Sequence, residues 1–243
     1  MGGTKEACYR ISRTIWEWCI ERKIWLSACH LPGVDNTEAD RESRLNHDNT
    51  EWKLNPLYFH TLGKIWTTPN IDLFASRINF QIYPYVAWKP DPEAVAIDAF
   101  TIPWDQYCYA FPPFCLIGKA LAKIEEEKAS GILIAPLWIT QSWFSKLGNM
   151  LIDCPLLFPR SKDTLILPYK PLEVHPLSSK MRLAAFHVSG NPLAASTFRS
   201  QLKKFSCRHG DHQHKSSMDP TLDNWWNFAV KGVTITAHPL WEL

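Results

Sequence analysis

The sequence predicts an α/β protein with a loop-rich C-terminal region, and three observations support this prediction. In the middle of the chain, strand-like and helix-like runs follow one another as strand, Pro-Pro corner, helix, strand, helix and hairpin. A hydrophobic content of 46% over 243 residues is enough for a substantial core. Beyond residue 168 the chain becomes rich in proline and then in basic residues, which predicts extended and loosely ordered structure there.

Composition narrows the classes of protein to which the chain can belong. Its 26 Lys and Arg residues against 24 Asp and Glu residues leave a formal charge of +2, so nucleic-acid contacts must come from local patches. Seven cysteines without Cys-x-x-Cys spacing predict reduced thiols and an intracellular protein, in the cytoplasm or the nucleus. No apolar run reaches about 18 residues, so we expect no membrane span and no membrane partner.

The N-terminal region, residues 1–46, is predicted to begin with an amphipathic helix. Apolar residues recur there at helical spacing, namely Ile11, Ile15, Trp18 and Cys19. Residues 24–29 predict a short buried strand. The turn His30-Leu31-Pro32-Gly33 ends that strand, and a short helix carrying Asp40 is expected to follow.

This turn and helix resemble the closing segment of type-1 RNase H domains, through His30 to Gly33, Asn36, Ala39-Asp40 and Ser43-Arg44. The resemblance implies that Asp40 is the last metal-binding carboxylate and that His30 assists proton transfer or product release. Two-metal chemistry on a phosphodiester needs several carboxylates to hold two Mg²⁺ ions. The partner acids of the family would lie upstream of Met1, so we expect a truncated RNase H tail. The alternative for Asp40 is a solvated acid on a helix face.

Residues 47–66 are predicted to connect two domains. The segment is polar at first and then amphipathic, which indicates an extended piece followed by a short helix that ends near Gly63. We therefore expect the domain boundary here.

Residues 67–168 are predicted to form the α/β domain. A first strand over 71–75 opens into a polar turn, the usual place for a small ligand in an α/β sheet. The remaining elements are predicted as a β-rich stretch over 81–88, a strand over 107–110, a helix over 116–128, a buried strand over 132–137, a helix over 143–152, and a hairpin of 155–158 with 164–167.

The segment Tyr109-Ala110-Phe111-Pro112-Pro113-Phe114 is where we expect a site. Two consecutive prolines have a fixed φ and no N–H, so they mark a chain that leaves a strand rigidly. Aromatic rings on both sides offer a flat ligand a surface on which to stack. The simpler alternative is a Pro-Pro turn capped by core aromatic residues.

Residues 67–167 resemble the phage-type DNA N6-adenine methyltransferases, and more closely the methyltransferase-like domain that follows RNase H in DIRS-type retrotransposon polyproteins. The matching residues are Asp72-Leu73-Phe74-Ala75-Ser76, Asn79, Asp98-Ala99-Phe100, Trp104 and the Pro-Pro-aromatic corner. The resemblance implies a three-layer α/β domain that binds S-adenosylmethionine. It assigns cofactor contacts to Asp72, Phe74, Ala75, Ser76 and Asp98, and assigns a flipped-out adenine to Phe111, Pro112, Pro113 and Phe114.

Two departures from the family pattern bear on catalysis. The family places Asp, Asn or Ser before the two prolines to stabilise positive charge on the amine, whereas Phe111 cannot accept a hydrogen bond. Losing one such group costs about 10²–10³ in rate. The glycine-rich cofactor turn is also reduced to Ala75-Ser76.

We therefore expect a polyprotein fragment that contacts DNA or an RNA–DNA hybrid, beside the remainder of the retroelement polyprotein, without catalysis of its own. The alternatives are an active DNA N6-adenine methyltransferase and a ribonuclease whose missing half is supplied by another chain.

Residues 169–243 are predicted to be a Pro-rich and basic linker with little regular structure. Residues 180–188 could form a short helix that the sequence Gly190-Asn191-Pro192 ends. The cluster from Cys207 to Lys215 suggests zinc, but a single Cys with three closely spaced His lacks the paired spacing of a closed site. A basic, flexible linker is the preferred interpretation.

Overall fold

The structure is a computed structural model that describes residues 6–27, 51–178, 180–202 and 226–240. The chain divides into two compact units, residues 1–48 and residues 49–243. None of the helices in the described ranges combines the length and the apolar character that crossing a bilayer requires.

The first unit contains one described helix, α1 (Glu6–Glu21), as the apolar spacing predicts. The Ile24 amide donates to the Cys19 carbonyl at 2.9 Å, which turns the chain away from the helix axis. The prediction of a buried strand over 24–29 is wrong for its described part. Residues 24–27 have no regular secondary structure, and Trp25 is 88% exposed. His30 and Asp40 lie outside the described residues.

The second unit is an α/β structure, which confirms the predicted class. Its described helices are α2 (Pro56–Ile65), α3 (Ile117–Glu127), α4 (Ser142–Asn149) and α5 (Pro192–Gln201), with short 3-10 helices at Ala99–Thr101 and Phe114–Leu116. Its described strands are β1 (Lys53–Leu54), β2 (Ile71–Ala75), β3 (Tyr85–Ala87), β4 (Ala96–Ile97), β5 (Tyr107–Ala110), β6 (Ser130–Pro136), β7 (Leu156–Leu157), β8 (Leu165–Ile166), β9 (Leu183–Ser189), β10 (Trp226–Val230) and β11 (Val233–Pro239).

Nine of these strands form one mixed sheet in the order β10-β11-β7-β9-β6-β5-β2-β3-β4. Strands β4, β3, β2, β5 and β6 run parallel to one another, whereas β9 is antiparallel to both β6 and β7. The chain builds outward from β2 in one direction through β3 and β4, and then in the other direction through β5 and β6. The strand order therefore reverses between β2 and β5, which is a topological switch point.

Local sequence explains where two of the helices start. In α2, the Asn55 side chain accepts a hydrogen bond from the Leu57 amide, and Pro56 occupies the first turn. In α5, Asn191 accepts from the Leu193 amide in the same way, again with a proline in the first turn. Each asparagine satisfies an amide that has no partner inside the helix, and the proline carries no amide to satisfy.

The nine-stranded sheet is covered on both faces, as a buried parallel sheet requires. On one face, apolar residues of α3, α4 and α5 pack against Leu73, Leu133 and Phe186. On the other face, α2 and the two-stranded β1–β8 ribbon cover Tyr109 and Ile132. Residues on this second face align in register across the strands, so that Asp72, Tyr109, Ile132 and His187 follow one another along a row.

The chain divides between residues 48 and 49, within the segment 47–66 where the boundary is predicted, and α2 is the short helix expected there. The prediction that this segment only connects two domains is wrong for its described part. Leu54 and Leu62 are completely buried, and they belong to the core on the second face of the sheet. In the sequence, an amphipathic helix flanked by short polar stretches resembles a linker. Only the tertiary structure shows that the apolar face of this helix covers a sheet.

The predicted hairpin of 155–158 with 164–167 is also wrong. Strand β7 pairs with β9 and β11, whereas β8 pairs with β1, more than a hundred residues earlier in the chain. Long-range pairing outweighs local proximity here because both segments are too short to be stable as an isolated hairpin.

Most of the described residues from 183 onward lie in helices or strands, which corrects the expectation of a loose C-terminal linker there, whereas residues 169–178 and 180–182 contain neither. Residues 183–189 form β9 in the middle of the sheet rather than a helix, and burial on both faces accounts for the mostly apolar sequence of this strand. Helix α5 and strands β10 and β11 also belong to the second unit. The cluster from Cys207 to Lys215 lies outside the described residues.

Candidate functional site

The candidate site lies at the carboxyl ends of β2 and β5, on the two sides of the switch point. These strands are parallel neighbours, with Ile71 opposite Cys108 and Asp72 opposite Tyr109. The turn that follows Ala75 and the Pro-Pro corner that follows Ala110 therefore leave the sheet side by side. Ligands of open α/β sheets bind in this position. The structure thus brings together the two segments that the sequence predicts to carry the site.

Asp72 is an internal anchor of this site, because it is only 1% exposed. Its Oδ1 accepts a hydrogen bond from the Phe74 amide at 3.3 Å, and its Oδ2 accepts one from the Gln81 amide at 3.0 Å. Burial raises the pKa of Asp72 to about 7, although both amides and the nearby Lys53 charge act to lower it. The carboxylate is directed to the backbone of its own loop rather than to a ligand.

Lys53 and Gln81 complete the surroundings of Asp72. The Lys53 ammonium donates to the Phe80 carbonyl at 2.6 Å, and burial lowers the pKa of Lys53 while the Asp72 charge raises it. The Gln81 side chain donates to the Leu54 carbonyl. Beside them, the Tyr109 hydroxyl is buried without a hydrogen-bond partner among the described residues. The sequence analysis missed these residues, because a single Lys or Gln far along the chain carries no local signal of such contacts.

The turn after β2 is closed by its own hydrogen bonds. The Ser76 amide donates to the Asn79 side chain at 2.7 Å, and the Arg77 amide donates to Asp91 at 3.1 Å. The Asn79 and Phe80 amides both donate to the Ser76 carbonyl. These amides are therefore already occupied by acceptors of the protein.

Glu51 also forms a hydrogen bond to the turn after β2. The Ser76 hydroxyl donates to Glu51 Oε2 at 2.7 Å, and the indole N–H of Trp88 lies 3.4 Å from Glu51 Oε1. Residues 76–84 join β2 to β3 without a helix. Cofactor phosphates and carboxylates are commonly held by free backbone amides at the N-terminus of a helix. This connection offers neither free amides nor a helix N-terminus.

The Pro-Pro corner presents aromatic rings. The Phe111 and Phe114 ring centroids are 6.5 Å apart, and Phe114 meets Trp138 edge to face at 5.3 Å. Pro112 is buried and Pro113 is exposed. The Pro113 carbonyl accepts from the Leu116 amide at 2.8 Å, which begins the 3-10 helix before α3. The corner is therefore a packed turn, as the simpler alternative predicts, and its two phenylalanine rings are partly exposed. The stacking of a ligand on them stays a prediction.

The other predicted cofactor residues are used in packing and capping. Ala75 is buried beside Tyr85, and Phe74 packs edge to face against Phe100 at 5.6 Å. Asp98 follows β4, two strands away from β2, and its carboxylate accepts from the Phe100 amide at 3.0 Å. The structure therefore does not bring Asp98 to the switch point.

A second polar cluster surrounds His187 on the face that α2 covers. The Tyr107 hydroxyl lies 3.0 Å from His187 Nε2, and the Trp66 ring lies over the His187 ring at 5.0 Å. The Trp66 indole N–H donates to Asp153 at 2.9 Å. Burial lowers the pKa of His187, and the Asp153 charge acts in the opposite direction. The sequence analysis did not single out these residues, which come from four separate elements.

No group of three or more His, Cys, Asp or Glu side chains is placed to hold a metal ion in the described part of the chain. The expected Mg²⁺ ligand, Asp40, lies outside it. No protein-family model matches the sequence, and no curated protein matches it either.

Proposed function

We propose that this chain is a nucleic-acid-contacting fragment of a retrotransposon reverse transcriptase/RNase H polyprotein, built on a methyltransferase-like domain without independent catalysis. DNA or an RNA–DNA hybrid is its partner, together with the remainder of the polyprotein. The observation that carries the proposal is the position of Phe111, which stands at the switch point where a methyltransferase would need a hydrogen-bond acceptor.

The order of the strands supports a methyltransferase-like domain. Five parallel strands run β4-β3-β2-β5-β6, and the antiparallel β9 is inserted between β6 and β7. This order is typical of S-adenosylmethionine-dependent methyltransferases. The two segments that carry the sequence resemblance also lie next to each other, as they would in such an enzyme.

The residues present do not fit S-adenosylmethionine well. The amides of the turn after β2 are taken by Asn79, Asp91 and the Ser76 carbonyl, and Glu51 occupies the Ser76 hydroxyl. Asp72 is buried beneath the loop instead of facing a crevice. Phe111 offers no acceptor to an amine. A domain that has lost catalysis but has kept the aromatic corner accounts for all of these contacts.

Binding and catalysis are tested together on the full chain. Fluorescence anisotropy with labelled DNA, RNA and RNA–DNA hybrid measures binding, and calorimetry with S-adenosylmethionine measures cofactor affinity. We expect nucleic-acid binding that weakens with salt, no cofactor binding, and no methyl transfer to adenine-containing DNA. Failure to bind any nucleic acid contradicts the proposed partner, whereas methyl transfer contradicts the absence of catalysis.

A second candidate function, DNA N6-adenine methyltransferase, is favoured by the strand order and by the place of the Pro-Pro corner. Its test is crosslinking of S-adenosylmethionine to the chain. Crosslinking that disappears in Asp72→Ala but persists in the exposed control Asp105→Ala, together with methyl transfer to DNA, would establish this function instead.

A further inference from the structure

The segment 159–182 is the most basic stretch of the described second unit. It contains five Lys or Arg residues and two Asp or Glu residues, which gives a formal charge of +3. The whole chain carries only +2, so the remaining residues together are slightly acidic. Positive charge is therefore concentrated locally, as contact with a polyanion requires in a chain of nearly balanced composition.

Three basic side chains of this segment are exposed and form no ion pair, hydrogen bond or ring contact within the described part of the chain, namely Arg160, Lys162 and Lys180. We name these three residues the basic surface. Lys170, by contrast, pairs with Glu173 at 3.3 Å. The one other acid of the segment is the exposed Asp163, so positive charge prevails at the basic surface.

Strand pairing brings Arg160 and Lys180 to the same edge of the sheet. Strands β7 and β9 are antiparallel neighbours. The Phe158 amide donates to the Leu183 carbonyl at 3.0 Å, which extends this pairing to the ends of the strands. Arg160 is two residues beyond Phe158, and Lys180 is three residues before Leu183. The two stretches of chain therefore leave the sheet side by side.

Hydrogen bonds fix the turn that carries Arg160 and Lys162. The buried Thr164 donates its hydroxyl to the Pro159 carbonyl at 2.8 Å. The Asn55 amide donates to the Thr164 carbonyl at 3.0 Å, which ties the turn to the start of α2. Because this backbone is already held in place, a ligand that binds to it has little ordering cost to overcome.

The basic surface lies at the same edge of the sheet as the Pro-Pro corner. Strand β9 is antiparallel to both β6 and β7, so the carboxyl ends of β5, β6 and β7 share one edge. In the order β5-β6-β9-β7, three strand spacings of about 4.8 Å separate the corner from the chain that follows β7. The resulting distance of about 14 Å matches about four phosphates along one strand of B-DNA.

We propose that the basic surface contacts the phosphate backbone of a nucleic acid that binds at this edge of the sheet. The inference rests on the proposed function and names the residues that hold its partner. Phosphate contacts need positive charge and no particular base, so they are expected to be independent of sequence and to weaken with salt. Lipid phosphates carry the same charge, but the partly exposed rings of the Pro-Pro corner at the same edge favour nucleic acid.

The test is the salt dependence of binding of a blunt DNA duplex and an RNA–DNA hybrid to the full chain, measured by fluorescence anisotropy. The triple variant Arg160→Gln, Lys162→Gln, Lys180→Gln removes three charges. For the DNA duplex, the slope of log K against log salt should become shallower by about 2.7, since each phosphate contact contributes about 0.9. Affinity at low salt should fall at least about tenfold. The charge-retaining variant Arg160→Lys, Lys162→Arg, Lys180→Arg should keep the wild-type slope.

Lys64→Gln is the matched control for Lys162→Gln, because both lysines are exposed and Lys64 lies in the last turn of α2, which precedes the start of β2 at the opposite edge of the sheet. Lys162→Gln alone should make the slope shallower by about 0.9, and Lys64→Gln should not change it.

Two results overturn the basic surface but leave nucleic-acid contact intact: an unchanged slope in the triple Gln variant, or an equal loss of binding in the charge-retaining variant. Phosphatidylserine vesicles that bind the wild-type chain but not the triple Gln variant, with duplex binding equal in both, would assign the surface to a membrane instead. Absence of binding to both nucleic-acid probes overturns the proposed function as well.

Discussion

Asp72 accepts a hydrogen bond from the backbone amide of Gln81 at 3.0 Å, so one buried acid ties strand β2 to the far end of its own loop. The same carboxylate accepts from the Phe74 amide. The Asp72 carboxylate thus fixes the conformation of the loop after β2. The resemblance assigns Asp72 to cofactor binding, but here its oxygens accept hydrogen bonds from the backbone. A charged group in such a position makes stability depend on pH.

Replacing Asp72 by Asn is expected to remove a pH dependence of stability. Burial raises the pKa of Asp72 to about 7 from an ordinary value of 3.8, so the folded chain holds this proton more tightly than the unfolded chain does. Its contribution to the free energy of unfolding is therefore complete below pH 4 and is lost as the pH rises to 7. The slope reaches about 1.4 kcal/mol per pH unit.

Urea denaturation of both proteins between pH 4 and pH 8 measures this difference. The wild-type chain should lose stability relative to Asp72→Asn as the pH rises from 4 to about 7, and the difference should stay nearly constant from there to pH 8. Stability curves that run parallel throughout would show that burial does not perturb Asp72.

Phe111→Asn is expected to restore a hydrogen-bond acceptor before the two prolines without producing methyl transfer. The turn after β2 remains closed by Asn79, Asp91 and Glu51, so one substitution at the corner does not provide a place for the cofactor. Removing the contact with Phe114 should also lower the free energy of unfolding by about 1 kcal/mol. Incorporation of labelled methyl groups into adenine-containing DNA is the measurement, and incorporation above that of Phe111→Leu would contradict the prediction.

Tyr107→Phe should destabilise the protein by about 0.5–1.5 kcal/mol at pH 8, through loss of the hydrogen bond to neutral His187. Because burial lowers the pKa of His187, folding favours the neutral ring, and stability falls as the pH drops below the ordinary value of 6.5. The substitution should still destabilise the protein in that range, since a protonated Nε2 can donate a hydrogen bond to the Tyr107 hydroxyl oxygen. Urea denaturation at pH 8 and at pH 5 measures both effects. Tyr83→Phe, at an exposed tyrosine, should have no effect at either pH.

Gly190→Ala is expected to destabilise the protein by about 2–3 kcal/mol. A Cβ atom at this position would collide with the Ile124 carbonyl and would lie 2.8 Å from the Lys128 Cα atom, and backbone at the end of α3 cannot move aside cheaply. Gly118→Ala, in the helix α3 that Gly190 approaches, is the control. Its Cβ would meet only the Trp143 Cβ atom at 3.9 Å, and alanine in a helix should add about 0.5–1 kcal/mol. Equal effects of the two substitutions in urea denaturation would refute the close approach.

Local pattern was sufficient for the elements that build the switch point. Strands β2, β5 and β6 appear as short apolar runs, and helices α3 and α4 appear through apolar residues at helical spacing. The prolines after β5 mark the end of that strand because they cannot continue it. Each of these signals lies within a few residues of the structure that it predicts.

Pairing between strands that are distant in the chain could not be predicted from local sequence patterns. The seven residues 183–189, five of them apolar, are compatible with a buried helix or a buried strand. Only pairing with β6 and β7 makes this segment the strand β9. Similarly, β8 pairs with β1 because the two segments meet under the same face of the sheet.

The sequence by itself determined the α/β class, the site of the Pro-Pro corner and the identity of Phe111, because propensity, proline geometry and side-chain chemistry are local properties. The tertiary structure alone decided that Asp72 is buried, that Glu51 closes the turn after β2, and that β9 lies between β6 and β7. Each of those relationships joins residues that are far apart in the chain, and only the packing of strands at about 4.8 Å brings them together.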